Sequence, residues 1–598
     1  MKGKAKKITR QQIVTAFVML SLFVIFVRLF ILQIYRGKEN RAAVDRQLTL
    51  FKTVSAPRGD ITDRYGRPIV TARYGWDLVL DEGVSKDLLK ETSKRVETLL
   101  KDEETVIPFS EGLPLPHVLA EDLKSESVAK IKEYEKALPG VLVQERTVRN
   151  YQYPGVASHI LGHIGKISGE EYEEKQKDGY QKTDYIGKQG VERAFETFLR
   201  GENGVKTVET EEKNPLVASK EPTPGKTVML TLDIDLQIAA EEALQKAVES
   251  TKEKAGGAAL VVDVKNGDVL ACASYPTYNL ETFSKDYGAL LNDPAKPMFH
   301  RALSGLYAPG STFKMISAIA ALEKGSITPE ERIKTRGVYE YFDRTFQCNI
   351  YREKKETHGD ITLSEALGVS CNYYFYEVGN RVGIEDIAET AERFSLGEKT
   401  GIFSGNEEAE GRIASRETRE KMGGKWYAGD TLQAAIGQSD HLFTPVGLAN
   451  YVAMLANGGK SPGLHILYGV KDAETGEIEK HTESKAQKDA KVDAEILQEV
   501  IKGMQKVTEE DGTAGAAFSD FEIPVAGKTG SAQTSGGTNG LFLAFAPVEK
   551  PQIAISVVIE KGGAGSLAAR VGKEIFSEYF EKEVPAFSQR ETPYTLLP

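Results

Sequence analysis

The stretch Ala308-Pro309-Gly310-Ser311-Thr312-Phe313-Lys314, followed by Met315-Ile316-Ser317-Ala318-Ile319-Ala320-Ala321-Leu322-Glu323-Lys324, decides how the rest of the chain is read. Pro309 and Gly310 make a sharp turn, and the Ala-rich run after Lys314 reads as a buried helix stopped at Gly325. This places Ser311 at a helix N-terminus, beside unpaired backbone N–H groups and the positive end of the dipole. Lys314 follows at i+3 on the same face, where its amine can take the serine proton if burial keeps it neutral. That is a serine–lysine nucleophile pair. The same spacing also arises by chance, as a surface lysine one turn after a capping serine, so the pair needs support from elsewhere in the chain.

Two further stretches supply it. Ser370-Cys371-Asn372 lies between two apolar runs of helical character. Alone, Ser370 and Asn372 would read equally well as helix caps. Lys528-Thr529-Gly530 follows Ile523-Pro524-Val525-Ala526-Gly527 and leads into Ser531-Ala532-Gln533-Thr534, a run that reads as an edge strand. Gly530 lets a substrate backbone approach closely, and Lys528 with the Thr529 hydroxyl suits a free carboxylate. Lys528 is also a candidate second cation to depress the Lys314 amine. The eight histidines are scattered, and only His300 falls near the nucleophile, which argues against a Ser-His-Asp triad.

Ser-x-x-Lys, Ser-x-Asn and Lys-Thr-Gly, in that order, resemble the signature set of penicillin-binding proteins and serine β-lactamases. The resemblance implies Ser311 as nucleophile and Lys314 as its base. Ser370 would relay protons, Asn372 would hold the substrate amide and Lys314, and Lys528 would complete the catalytic set. Thr529, Gly530 and Ser531 would bind substrate, with the backbone N–H groups of Ser311 and Ser531 as the oxyanion hole. The implied substrate is a stem peptide ending in D-Ala-D-Ala, cleaved at the penultimate carbonyl and passed to an amine on a neighbouring stem. β-Lactams would acylate Ser311. Where the family often has Asn before Arg-Ala-Leu, this chain has His300-Arg301-Ala302-Leu303, and Leu541-Phe542 stands where a Trp-Phe pair is common.

The remaining sequence extends the likeness. At 598 residues there is room for two or more domains, and 40% apolar with 27% charged residues is an ordinary globular balance. A net charge of −11 argues against nucleic acid as a partner, and three cysteines make no disulfide framework. Five positive charges in residues 1–10 precede an apolar run over 13–34, expected to be a single membrane helix with residues 1–12 in the cytoplasm and the rest outside. Residues 40–224 are expected to form a β-rich pedestal and 226–583 the α+β catalytic domain, with a flexible tail over 584–598. Pro57-Arg58-Gly59-Asp60-Ile61-Thr62-Asp63-Arg64-Tyr65-Gly66-Arg67-Pro68 suggests a tight, salt-bridged turn. It resembles the motif that opens the non-catalytic domain of class B penicillin-binding proteins, and Arg149-Asn150-Tyr151 and Gly190-Val191-Glu192 resemble its second and third motifs. Glu221-Pro222-Thr223-Pro224-Gly225 reads as a linker, Val228 to Leu232 as a strand, and Asp235 as the cap of the helix after it. Strand pairs are expected around Asn266-Gly267 and around Pro547 and Pro551, with a closing helix from about Leu567 to Glu581.

These readings converge on a class B penicillin-binding protein: a membrane helix, an elongated pedestal, and a D,D-transpeptidase of the penicillin-binding and serine β-lactamase fold. The resemblance implies no cofactor for the chemistry, and a separate polytopic membrane glycan polymerase as partner, because no Glu-Asp-x-x-Phe motif is found. A D,D-carboxypeptidase is the alternative enzyme. A β-lactam sensor would be expected to carry an effector domain ahead of the helix, where residues 1–12 stand. Cys348, His358 and Cys371 fall within 24 residues and offer zinc-type ligands, with Asp343 as a possible fourth, while a Cys348–Cys371 disulfide is the competing reading. The His358–Cys371 interval matches that of elongation-type relatives with a structural zinc.

Overall fold

A computed structural model describes residues 10–30, 50–80, 86–101, 117–208, 220–403, 407–481 and 488–581. The catalytic half is built on a five-stranded antiparallel sheet, ordered Val269–Tyr275, Gly256–Asp263, Ile553–Glu560, Gly537–Ala546 and Ala526–Thr534. The expected strand pairs at the two ends of the domain therefore meet in one sheet. One register row runs straight across it, through Ser274, Ala258, Val558, Leu541 and Gly530. That row fixes Gly530 of the Lys-Thr-Gly motif relative to the core.

The strands are apolar runs because both faces of the sheet are covered. Leu541, Leu543 and Phe545 pack on the helical lobe that contains the nucleophile helix, Lys314–Glu323, and the buried helix Pro445–Ala456. Phe542, Ala544 and Ala546 face the other way, onto Ile234–Ser250 and Gly565–Glu581. This is the two-residue alternation of a strand, with each fully buried Leu or Phe contributing about 1.5–3 kcal/mol.

The pedestal is held by charges buried where the sequence places its three motifs. Arg58 from the first and Arg149 from the second both bind the Glu192 carboxylate of the third, at 2.8 and 2.7 Å, and all three side chains are buried. Burial pushes the Glu192 carboxyl up, but Arg149 and Arg58 outweigh it and hold the group below its ordinary range. The expected salt-bridged turn is present. Asp63 accepts from the backbone N–H groups of Tyr65 and Arg67, and Arg67 also reaches Asp233 and Asp235. Asp233, not Asp235, caps the helix Ile234–Ser250: its carboxylate accepts from the Asp235 N–H, two residues earlier than the sequence suggested. Arg67 binds both the capping Asp233 and Asp235.

The linker is not a loose tether. Its Gly225 N–H donates to Pro57 O, and a Cβ at Gly225 would lie 2.0 Å from Leu199 O, so only glycine fits there. The strand after it, Thr227–Leu230, joins a sheet ordered Ile478–His481, Leu467–Lys471, Thr227–Leu230, Ile61–Thr62, Pro68–Leu80 and His117–Ala120, with Val141–Tyr151 also paired to Pro68–Leu80. Two strands from the C-terminal half thus complete a pedestal sheet, which the sequence did not reveal.

At the N-terminus, Arg10–Phe30 is helical, with Phe17, Leu20, Phe23 and Phe26 all exposed. The expected span over 13–34 runs past the described part of this helix, and among the described residues no helix is long and apolar enough to cross a membrane. The expected tail over 584–598 lies outside the described residues.

Candidate active site

Ser311 sits in a 3₁₀ turn, Gly310–Phe313, that feeds directly into the α-helix Lys314–Glu323. Ser311 therefore stands one tight turn ahead of the helix proper. Gly310 makes this possible with φ +53°, and its N–H donates to Gly437 O at 2.9 Å. The helix stops at Gly325, φ +66°, as the sequence indicates.

Lys314 is fully buried against the Phe375 ring. Its amine donates to Asn372 Oδ1 at 2.7 Å, to Ser370 O at 2.8 Å and to Ser370 Oγ at 3.3 Å. Among the described residues none of its hydrogen bonds goes to Ser311, so the amine is held by the second motif. Burial lowers its pKa to about 8, against the opposing influence of Cys348 and Cys371. Lys528, also fully buried, donates to Ser370 Oγ at 2.9 Å and to Thr529 O at 3.1 Å. Burial, then the Lys314 charge, pushes its amine well down.

The Ser370 hydroxyl is thus the point where all three motifs meet. Its backbone carries φ +54°, a left-handed conformation that costs a serine about 1 kcal/mol or more. The residue lies between the helices Leu363–Gly368 and Asn372–Val382, and Cys371, not Ser370, is the N-cap of the second. The third motif is where the edge-strand reading put it, since Ala526–Thr534 ends the sheet. A Cβ at Gly530 would lie 2.9 Å from Pro309 O and 3.0 Å from Thr312 Cγ2. Absence of that side chain lets the strand press on the nucleophile turn. Ser311, Asn372 and Ser531 line one cleft of about 440 Å³.

Two participants carry no sequence signal. Thr513 Oγ1 lies 2.6 Å from Thr529 Oγ1, beside the third motif, although it comes from a loop after Ala494–Gln505. Asn349 Oδ1 accepts from Asn372 Nδ2 at 3.4 Å. His300 is buried with Ser274 and His159, and His441 packs on Phe313 while its Nδ1 accepts the Ala414 N–H.

Cys348 Sγ lies 3.8 Å from His358 Nδ1 and 3.9 Å from Cys371 Sγ, and the three ligand atoms fall within 4.8 Å of one another. Both cysteines are free thiols, and Asp343 does not belong to the group. The hydrogen bond from Cys371 pulls the Cys348 thiol down against its own burial, with His358 adding to the effect, while burial and Cys348 push Cys371 up.

The chain matches the penicillin-binding protein transpeptidase domain over residues 257–579 and the penicillin-binding protein dimerisation domain over 53–230. It is 29% identical to the peptidoglycan D,D-transpeptidase MrdA of Acinetobacter baumannii, over 96% of this chain and 88% of that one. It is 28% identical to MrdA of Escherichia coli K12, over 92% and 91%. The fold superposes on Helicobacter pylori PBP2 in its complex with MreC with a TM-score of 0.76 and 26% identity, covering 89% of this chain and 99% of that one. It also matches a chain of a peptidoglycan synthase complex that coordinates polymerization and crosslinking, with a TM-score of 0.70 and 28% identity, covering 96% and 99%. With the three motifs joined at Ser370 and both domains of the family present, the chain belongs to the penicillin-binding protein transpeptidases, as a class B peptidoglycan D,D-transpeptidase.

Proposed function

We propose that Ser311 Oγ attacks the penultimate D-Ala carbonyl of a stem peptide laid along the edge strand Ala526–Thr534. Lys314 takes the serine proton. The C–N bond to the terminal D-Ala breaks, and Ser370 passes a proton to that leaving amine. An amine of a second stem then attacks the ester, the new amide C–N bond forms, and Ser311 Oγ recovers its proton. The N–H groups of Ser311 and Ser531 stabilise the oxyanion, a contribution of about 3–4 kcal/mol in measured cases. Thr529, Lys528 and Thr513 receive the terminal carboxylate. The observation that carries this reading is the shared Ser370 hydroxyl, bonded by both buried lysines. Labelled penicillin is expected to attach to the wild-type chain and not to Ser311→Ala, and an adduct mapped to another residue would refute the assignment.

The same reading places the pedestal over 40–224 and the catalytic domain over 226–583 outside a membrane anchored by 13–34. The exposed apolar side chains of Arg10–Phe30 support the anchor. An N-terminal reporter active only outside the cell would overturn the topology. A polytopic glycan polymerase is the expected partner, in line with the synthase complex that this fold resembles. Cys348, His358 and Cys371 fit a structural zinc: bonds of about 2.3 Å to sulfur in a tetrahedron set ligand atoms roughly 3.8 Å apart, as found here. When bound, the ion would cross-link the segment that presents Ser370 and Asn372.

A further inference from the structure

The turn that carries Ser311 is flanked by one segment, residues 437–443. At one end the Gly310 N–H donates to Gly437 O, and a Cβ at Gly437 would lie 2.0 Å from Gly310 O. At the other end Tyr307 and Phe443 exchange both backbone hydrogen bonds, at 2.9 and 2.8 Å. Between them His441 packs on the Phe313 ring, and Gln438 lines the cleft that holds Ser311. A shift of this segment is therefore passed to the Ser311 turn. Its middle is strained: Ser439 has φ +66°, a left-handed conformation unfavourable for a serine.

Arg419 grips that strained corner. From the short helix Arg416–Lys421 its Nε donates to the Asp440 carboxylate, and its Nη2 donates to Ser439 Oγ at 3.1 Å. Its Nη1 lies 3.6 Å from Asp430 Oδ2. Asp430 stands in the first turn of Ala428–Ala435, where its carboxylate also accepts the Tyr427 N–H. One guanidinium thus joins the start of that helix to the corner beyond its end, and it lies over the Trp426 ring. Arg412 Nε adds a bond to Asp440 O at 3.0 Å. We propose that Arg419 is a positioning residue for acylation: it fixes residues 437–443 through Ser439 and Asp440, and that segment fixes Ser311 through Gly437. A planar fork is needed, because two neighbouring acceptors are held by two N–H groups of one plane, where a lysine would offer a single point charge. This inference rests on the reading of Ser311 as nucleophile, and it adds a residue that none of the three motifs contains.

The test follows acylation of the full-length chain in detergent over a range of labelled penicillin concentrations. This gives a maximal rate and a half-saturating concentration for each variant. Arg419→Gln is expected to lower the maximal rate at least about tenfold. The half-saturating concentration is expected to stay within about twofold, because Lys528 and Thr529 on the edge strand are untouched. Arg419→Lys is expected to recover little of the loss. Ser439→Gly alone is expected to acylate like the wild type. Combined with Arg419→Gln it is expected to restore most of the lost rate, since glycine holds φ +66° without a partner. An unchanged maximal rate in Arg419→Gln, or a loss that Ser439→Gly does not restore, would overturn the positioning role. If peptide mapping still puts the label on Ser311 in that event, the catalytic reading stands and only the role of Arg419 fails. Label on another residue overturns the reading of Ser311 and this inference with it.

Discussion

Lys314 and Lys528 share one acceptor, the Ser370 hydroxyl, at 3.3 and 2.9 Å. Two buried amines on one oxygen cannot both keep a full charge cheaply in a low-dielectric site. The second motif thereby joins the proposed base, Lys314, to a second buried amine, and the Ser370 hydroxyl accepts from both while keeping its own proton to donate.

The pH dependence follows from this pair. Burial brings Lys314 to about 8, Cys348 and Cys371 oppose that shift, and Lys528 faces it across Ser370. In the proposed mechanism the deprotonated Lys314 amine is the base, so acylation is expected to rise with pH. The second-order rate of penicillin acylation is expected to climb about tenfold per unit below this value and to level off above it. A flat profile across it would remove Lys314 from the role.

Gly530→Ala places a methyl group 2.9 Å from Pro309 O and 3.0 Å from Thr312 Cγ2. The edge strand must shift outward, at about 1–3 kcal/mol, and Ser531 moves away from Ser311. Acylation is expected to slow at least about tenfold. Stopped-flow acylation with urea denaturation on the same variant separates the two effects.

Glu192→Gln leaves Arg58 and Arg149 buried against a neutral partner. The expected loss is about 3–5 kcal/mol, read as a lower urea midpoint for the full-length chain. Because the folded Glu192 pKa is depressed, its contribution is complete above the ordinary carboxylate range. It fades as pH falls through the folded value, and the difference between variant and wild type should shrink in acid.

Metal content tests the cysteine cluster. Protein purified without chelator is expected to carry about one zinc per chain, lost in Cys348→Ser and His358→Ala. Chelation is expected to slow acylation while leaving Ser311 as the labelled residue. A mass showing two fewer hydrogens, from a Cys348–Cys371 bond, would end the metal reading.

How much of this was legible follows from the range of each interaction. Ser311 and Lys314 are one turn apart, so their spacing alone placed them on one face. The Asn266-Gly267 hairpin and the apolar strand run Leu541 to Ala546 are likewise local. Asp233 was missed because Asp233 and Asp235 look alike as caps, and Arg67, far back in the chain, binds both carboxylates. Thr513 and Asn349 reach the site only through tertiary packing, and nothing in their neighbours marks them. The absence of a Lys314–Ser311 bond was equally unreadable, since it depends on two competing acceptors more than fifty residues away.

The sheet shared by the two halves has a consequence for how the chain can be cut. Thr227–Leu230 pairs with Ile61–Thr62 on one side and Leu467–Lys471 on the other. A fragment ending at residue 230 would present that strand as a raw edge with unpaired N–H and C=O groups, open to pairing between copies. During synthesis the same edge waits for more than two hundred residues before its partner emerges, so the pedestal cannot finish folding until most of the catalytic half has been made.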